Sequence, residues 1–284
     1  MQTKQRGSGW SIKLAFNLYK LLGYKFVYYL MYPVTFFYFI FASNVKSALK
    51  IYYKHLGIKF TNKVYYEHLR MFAICMVDRF ISKAEPKEYS FSYSNIESQK
   101  EMLSKGVIIV YSHVGGWASS YNAPIVDSKV NIVMQEAMID GIKEIEQSID
   151  IKTNINIIDL NSGALSVSVQ TANALVDNEI VVMMADRPSN PKGEMAVKFL
   201  GEDAIFNKNP FQIAYKTSKP LLVYFVVLVG MQKYKIIDYT ITMDRTKNEN
   251  EAVKLALNEY VKQYEEVIKI YPNQWLNFYN FWRK

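Results

Sequence analysis

Gly106-Val107-Ile108-Ile109-Val110-Tyr111-Ser112-His113-Val114-Gly115-Gly116-Trp117 decides how this chain folds. Its first half is a short β-branched run with no charged residue, the pattern of a strand buried on both faces. Such strands belong to parallel sheets with helices on either side. Its second half breaks the pattern with two polar residues and two glycines. In open α/β sheets, ligands bind beyond the carboxyl ends of strands, and His113 lies two residues past this one. A histidine there can take up and return a proton near neutral pH, as a general base must. The alternative for a single histidine past a strand is a structural hydrogen bond. Gly115 and Gly116 permit tight backbone geometry or close approach of a substrate. Trp117 reads as the start of the next helix.

Downstream, the same kind of run recurs. Asn131–Met134, Asn154–Leu160, Glu179–Met184, Leu221–Val229 and Lys233–Met243 read as strands, and Ser162–Val176, Pro210–Ser218 and Glu249–Ile270 as helices. Strands interleaved with helices predict an α/β fold, a mostly parallel central sheet flanked by helices. Asp186-Arg187-Pro188 follows the Glu179–Met184 strand, so a second polar pair lies at a carboxyl strand end. It is either a turn with a local ion pair or a wall of the same cleft, with Arg187 facing an anionic group. Asn209 is placed to cap the helix that begins at Pro210, whose first turn also offers N–H groups to an anion. The aromatic end of the chain, Tyr271–Trp282, either packs on the body or touches lipid, and packing is the default.

Upstream, the chain reads as helical throughout, and Ala84-Glu85-Pro86 stops the pattern because proline cannot continue a helix. Two regions follow, a helical membrane-associating segment over 1–85 and an α/β domain over 86–284, joined as one continuous unit. Residues 26–45 carry no charge. The apolar run 26–42 is at the lower edge for crossing a bilayer core of roughly 30 Å. It fits a helix lying in the membrane interface, a transmembrane anchor or a buried core helix. Lys25 and Lys46 flank it, so loop charge gives no orientation. The start of the chain lacks the apolar stretch and cleavage site of a secretory signal.

Composition narrows the function. The 284 residues are 50% hydrophobic, with 22 Tyr, 16 Phe and 4 Trp, residues that suit cores and interfaces alike. A net charge of +8 attracts anionic headgroups, nucleic acid or an acidic carrier protein. One cysteine, Cys75, and three histidines exclude an internal disulfide and argue against structural zinc. Lysine and arginine are scattered, and no nucleic-acid-binding signature is present, so nucleic acid is not an expected partner. No G-x-G-x-x-G or Walker loop points to a nucleotide.

Taken in order, the motifs resemble the lysophospholipid acyltransferase superfamily, and within it the lipid A late acyltransferases that transfer lauroyl or myristoyl chains. Asp78-Arg79, Ser112–Trp117, Ile180–Pro188, Val197–Gly201, Pro210–Pro220 and Tyr271-Pro272-Asn273-Gln274-Trp275 carry the resemblance, which covers nearly the whole chain. The resemblance implies an acyltransferase at the cytoplasmic face of a bacterial inner membrane, peripheral or held by one N-terminal anchor. His113 would take a proton from a hydroxyl or amine of a lipid or glycolipid acceptor, which attacks the thioester of an acyl-carrier protein or coenzyme A. Gly115, Gly116, Trp117, Asp186 and Arg187 would contact substrate. No metal or bound cofactor is implied.

One position departs from that family. Its motif is H-x4-D/E, and the acid due at 118 is Ala118. Such an acid orients the imidazole and stabilises its protonated form. Three explanations follow: another group (Ser119, Ser120 or Asp186) orients His113; the acceptor demands less of the base; or the chain is a catalytically impaired relative that binds lipid or serves as a scaffold.

Overall fold

The computed structural model describes residues 9–94, 96–119, 128–135 and 154–282. Among the described residues, seven strands form the central sheet: β1 (Ser90–Tyr93), β2 (Val107–Tyr111), β3 (Val130–Met134), β4 (Ile155–Asp159), β5 (Ile180–Met184), β8 (Leu221–Gly230) and β9 (Lys233–Ile241). Their order is β1-β9-β8-β2-β5-β3-β4. The five strands from β8 to β4 are parallel, and β9 turns back antiparallel from β8 with β1 parallel beside it. Every residue of β2 is buried. Ile108 and Val110 enter one apolar core and Val107, Ile109 and Tyr111 the other, as the period of two along a strand requires.

Helices cover both faces. Among the described residues these are α1 (Gly9–Phe41), α2 (Ser43–His55), α3 (Asn62–Ala84), α4 (Ile96–Ser104), α5 (Ala164–Val176), α6 (Asn209–Thr217) and α7 (Glu249–Ile270). Asn248 caps α7 by accepting from Glu251 N–H, and Val253, Leu257, Tyr260, Tyr264, Val267 and Ile268 form its buried stripe at three- and four-residue spacing. The α/β class and mostly parallel sheet expected from sequence are therefore observed. Both cores mix strand residues with residues of the N-terminal helices, Tyr52 and Leu69 on one side, Val27 and Ile74 on the other, so packing crosses position 85.

The structure corrects several local expectations. Residues 116–119 form a turn, so Trp117 does not begin a helix. The α6 cap is not Asn209: the helix already includes that residue, and the Asn207 side chain accepts its N–H at 3.1 Å. Three elements had no reading: β1, α4 and an antiparallel hairpin of β6 (Glu194–Phe199) and β7 (Glu202–Asn207) forming its own sheet.

The charge-free stretch runs from the second half of α1 into the first residues of α2, and α1 is kinked where Gly23 takes φ 78°. Val27, Met31 and Thr35 lie buried at four-residue spacing, while Leu21, Tyr29, Phe36, Phe37, Ile40 and Phe41 are exposed. The chain then turns by 91° into α2. Among the described residues no single helix is long and apolar enough to cross a membrane, although this bent pair passes by length and composition.

A buried carboxylate ties α1 and α3 to the sheet. Asp78 is fully buried; its Oδ1 accepts from Tyr24 (2.8 Å) and Tyr89 (2.9 Å) and its Oδ2 from Tyr234. Burial pushes this carboxyl up from 3.8 to about 6, and the three hydroxyls pull against that rise. With the folded value above the unfolded one, the stabilisation is complete below about pH 4 and lost as pH rises through about 6. Asp78→Asn, which cannot titrate, is therefore expected to gain on the wild type by about 3 kcal/mol between pH 4 and pH 7. Urea unfolding of both proteins across that range checks this, and a pH-independent difference would refute it.

Candidate active site

His113 occupies a turn clamped between a strand and the end of the chain. Beyond β2, Gly115 bridges Val226 of β8, and Val114 bridges Trp275 from the other side. Gly115 N–H donates to Gln274 O (2.8 Å), Gly116 N–H to Val226 O (2.9 Å) and Leu276 N–H to His113 O (2.8 Å). Gly115 has φ +55°, and a Cβ there would lie 2.1 Å from Val226 O, a position only glycine takes without strain. A Cβ on Gly116 would lie 2.1 Å from the Tyr234 ring. The close approach these two glycines allow is thus by the protein's own atoms.

The imidazole has a carboxylate partner. His113 Nδ1 is 2.8 Å from Asp186 Oδ2 and 3.0 Å from Oδ1, and the backbone N–H of His113 donates to Oδ2 at 3.1 Å. Asp186 is fully buried, and the His113 side chain is 24% exposed. Burial pushes the Asp186 carboxyl up, but the His113 ring, its hydrogen bonds and Arg187 outweigh that and hold it below 3.8. An ionised carboxylate can only accept, so Nδ1 carries a proton, and in the neutral ring the lone pair falls on Nε2.

Asp186 is placed by three elements. Ala185 N–H donates to Tyr111 O (3.1 Å), Asn207 N–H donates to Ala185 O (2.8 Å), and Asn207 Nδ2 donates to Met184 O (2.7 Å). The end of β5 is thereby stitched to β2 on one side and to the β6–β7 hairpin on the other. Arg187 donates through Nη2 to Leu276 O and Asn277 Oδ1, both 3.2 Å. Its Nε lies 3.9 Å from Asp186 Oδ2, and its guanidinium stands 5.2 Å from the centre of the Tyr279 ring. Arg187, Ser189, Asn207, Asn209 and Met184 help line a cleft of about 50 Å³ beyond the strand ends. Trp117 packs edge-on against His113, centroids 5.6 Å apart.

Of the other groups considered as partners of His113, Ser119 is buried with no hydrogen-bond partner for its hydroxyl among the described residues. Ser120 lies outside the described residues. Ala118 is half-buried in the turn after Trp117.

Sequence reasoning missed what holds the clamp shut. Gln274 pairs with β8 as a strand would: Oε1 accepts Leu228 N–H (2.8 Å) and Nε2 donates to Leu228 O (2.9 Å). Tyr52 donates to Pro272 O at 3.0 Å. His68 lies within hydrogen-bond reach of Trp275 O (2.9 Å) and of the Tyr53 hydroxyl (3.0 Å). Burial pushes its imidazole down to about 3, against the pull of the Trp275 carbonyl. A carbonyl only accepts, so Nε2 donates to it and Nδ1 accepts from Tyr53. The signal for Gln274 and Trp275 lay in the Tyr271–Trp275 motif; nothing local marked His68.

A search of curated proteins returned no match. Residues 71–284, from within α3 to the last residue, match the model of a protein family described as bacterial lipid A biosynthesis acyltransferase, and the chain belongs to that family.

Proposed function

We propose that His113 and Asp186 are the proton-handling pair of an acyl transfer onto a lipid or glycolipid at a membrane surface. Family membership supports lipid acyl transfer as the activity class. The contact that supports the assignment of residues is the 2.8 Å approach of His113 Nδ1 to a fully buried, ionised Asp186. The carboxylate missing at 118 is replaced from strand β5, across the sheet, rather than from the turn itself.

The reaction runs as follows. Nε2 of His113 takes the proton of the acceptor hydroxyl or amine as its oxygen or nitrogen attacks the thioester carbonyl. Asp186 steadies the imidazolium. The tetrahedral adduct collapses, the carbon–sulfur bond breaks, and the imidazolium returns the proton to the departing thiolate. Products are the acylated acceptor and a free thiol on the acyl-carrier protein or coenzyme A, and His113 ends neutral. The backbone N–H groups of residues 113–116 are all engaged within the fold, so adduct stabilisation falls to other donors at the cleft; Arg187 is the cationic candidate. Trp117 walls the imidazole, while Gly115 and Gly116 act by closing the turn. The net charge of +8 suits an acidic carrier protein.

The exposed aromatic face of α1 supports peripheral docking on a membrane surface, which this reading takes to be the cytoplasmic face of the inner membrane. Burying Phe37 and Phe41 in lipid is expected to contribute about 3–6 kcal/mol together. Phe37→Asp/Phe41→Asp should therefore weaken vesicle binding by a hundredfold or more and leave the melting temperature unchanged. Flotation with anionic vesicles measures it; a double variant that floats like the wild type would exclude this face as the docking surface.

The absent acid at 118 favours a second reading, a lipid-binding relative without turnover. Incubation of purified protein with acyl thioester and lipid acceptor, followed by thiol release and lipid mass spectrometry, separates the two: binding without thiol release supports the second and rejects the first.

A further inference from the structure

From the His113 turn, Gly116 leads directly to Tyr234. The ring of Tyr234, in β9, fills the space where a Gly116 side chain would stand. It is stacked on Phe91 at 5.6 Å and on Tyr89 at 6.3 Å and is almost fully buried. Its hydroxyl donates to Asp78 Oδ2, while Tyr24 and Tyr89 occupy Oδ1. One carboxylate of α3 thus gathers hydroxyls from α1, from the residue before β1 and from β9, and the β9 ring is the floor of the turn carrying His113.

We infer that Tyr234, fixed by Asp78, is a positioning residue for His113. This rests on His113 being the base. A ring held only by apolar packing can slide in its plane; a hydroxyl bonded to a buried carboxylate pins the ring edge that Gly116 closes against. The His113 backbone follows that edge, since Gly116 N–H and Gly115 are both fastened to Val226. The imidazole must meet Asp186 on one side and substrate on the other, and misplacement by about 1 Å can cost about a hundredfold in rate.

Two variants of the full chain test this. Tyr234→Phe keeps the ring and loses the pin: kcat is expected to fall about tenfold to a hundredfold, with KM for the acyl thioester within about twofold, while the loss of a hydroxyl from the buried Asp78 carboxylate lowers the melting temperature by a few degrees. An unchanged kcat, or a loss of affinity as large as the loss of kcat, would overturn the positioning role. Gly116→Ala brings a methyl into the ring and should lose activity by more than about a hundredfold; adding Tyr234→Leu makes room and should restore about tenfold of that loss. A double variant no better than Gly116→Ala rejects the contact. Imidazole nitrogen NMR gives a readout independent of turnover, because the chain has three histidines. Tyr234→Phe should shift the His113 signals and leave those of His55 in place. A wild type that transfers no acyl group would refute the base assignment, whereas unshifted His113 signals would refute the positioning role.

Discussion

His113→Gln is expected to reduce acyl transfer by about 10²–10⁴-fold, the contribution of a positioned general base, while leaving most of the stability in place. Glutamine is the informative replacement because of what lies behind the ring. Asp186 is fully buried and depends on His113 for hydrogen bonds to both oxygens. Alanine would strip those partners away, leaving the His113 backbone N–H and the distant Arg187. Burial would then dominate and push the carboxyl up. Leaving such a group under-satisfied costs on the order of 1–3 kcal/mol or more. His113→Ala therefore confounds chemistry with folding, whereas the glutamine amide can still donate to Asp186 but cannot carry a proton through a catalytic cycle. The measurement is thiol release from an acyl thioester beside a urea titration. If His113→Gln keeps more than about a tenth of the wild-type rate, general-base catalysis by His113 is wrong. In cells, the lipid profile of this variant should match that of a deletion strain.

The parts legible in the sequence were those in which a local pattern coincides with burial. β2 reads as a doubly buried strand because every residue of it is buried, and α7 because its apolar residues recur at helical spacing. The hairpin β6–β7 escaped because its faces alternate unevenly and Glu194, Lys198, Glu202 and Asp203 break any apolar run. β1 is four residues of Ser, Phe, Ser and Tyr at a sheet edge, half-buried at best. Of the site, His113 and Asp186 were each visible as polar residues past strand ends, and Asp186 stood beside Ser119 and Ser120 as a candidate to orient His113, but nothing in the sequence chose this pairing among the three. It arises because β2 and β5 are neighbours, Tyr111 level with Met184, a relation between positions 73 residues apart that no local pattern encodes. Tyr234 and His68 are less visible still. Each looks like an ordinary core residue, and their significance lies wholly in what they touch.

Asp186→Asn and Ala118→Glu set the two accounts of the missing acid against each other. If Asp186 is the partner of His113, Asp186→Asn should lower kcat by about 10²–10⁴-fold. The asparagine is neutral and cannot stabilise the imidazolium. If its amide nitrogen turns toward the ring, it also forces the proton from Nδ1 to Nε2, where the base needs a lone pair. The carboxyl of Asp186 is held below its ordinary value, so its ionised form, and the stability it confers, persists through the neutral range. That contribution fades only as pH falls below about 4. The rate should therefore show no limb from Asp186 between pH 5 and 8. Ala118→Glu, with Asp186 intact, should then change the rate by less than about threefold, because Nδ1 is already engaged. An impaired relative predicts the reverse pattern: Asp186→Asn would be silent in transfer assays, and Ala118→Glu would raise turnover above that of the wild type. The double variant decides the geometry. A glutamate at 118 that restores activity to Asp186→Asn would reach the imidazole from the turn, so that either strand β5 or the turn can supply the charge. If it restores nothing, the turn after Trp117 does not bring position 118 to the ring, and the carboxylate from β5 is the one this site is built to use.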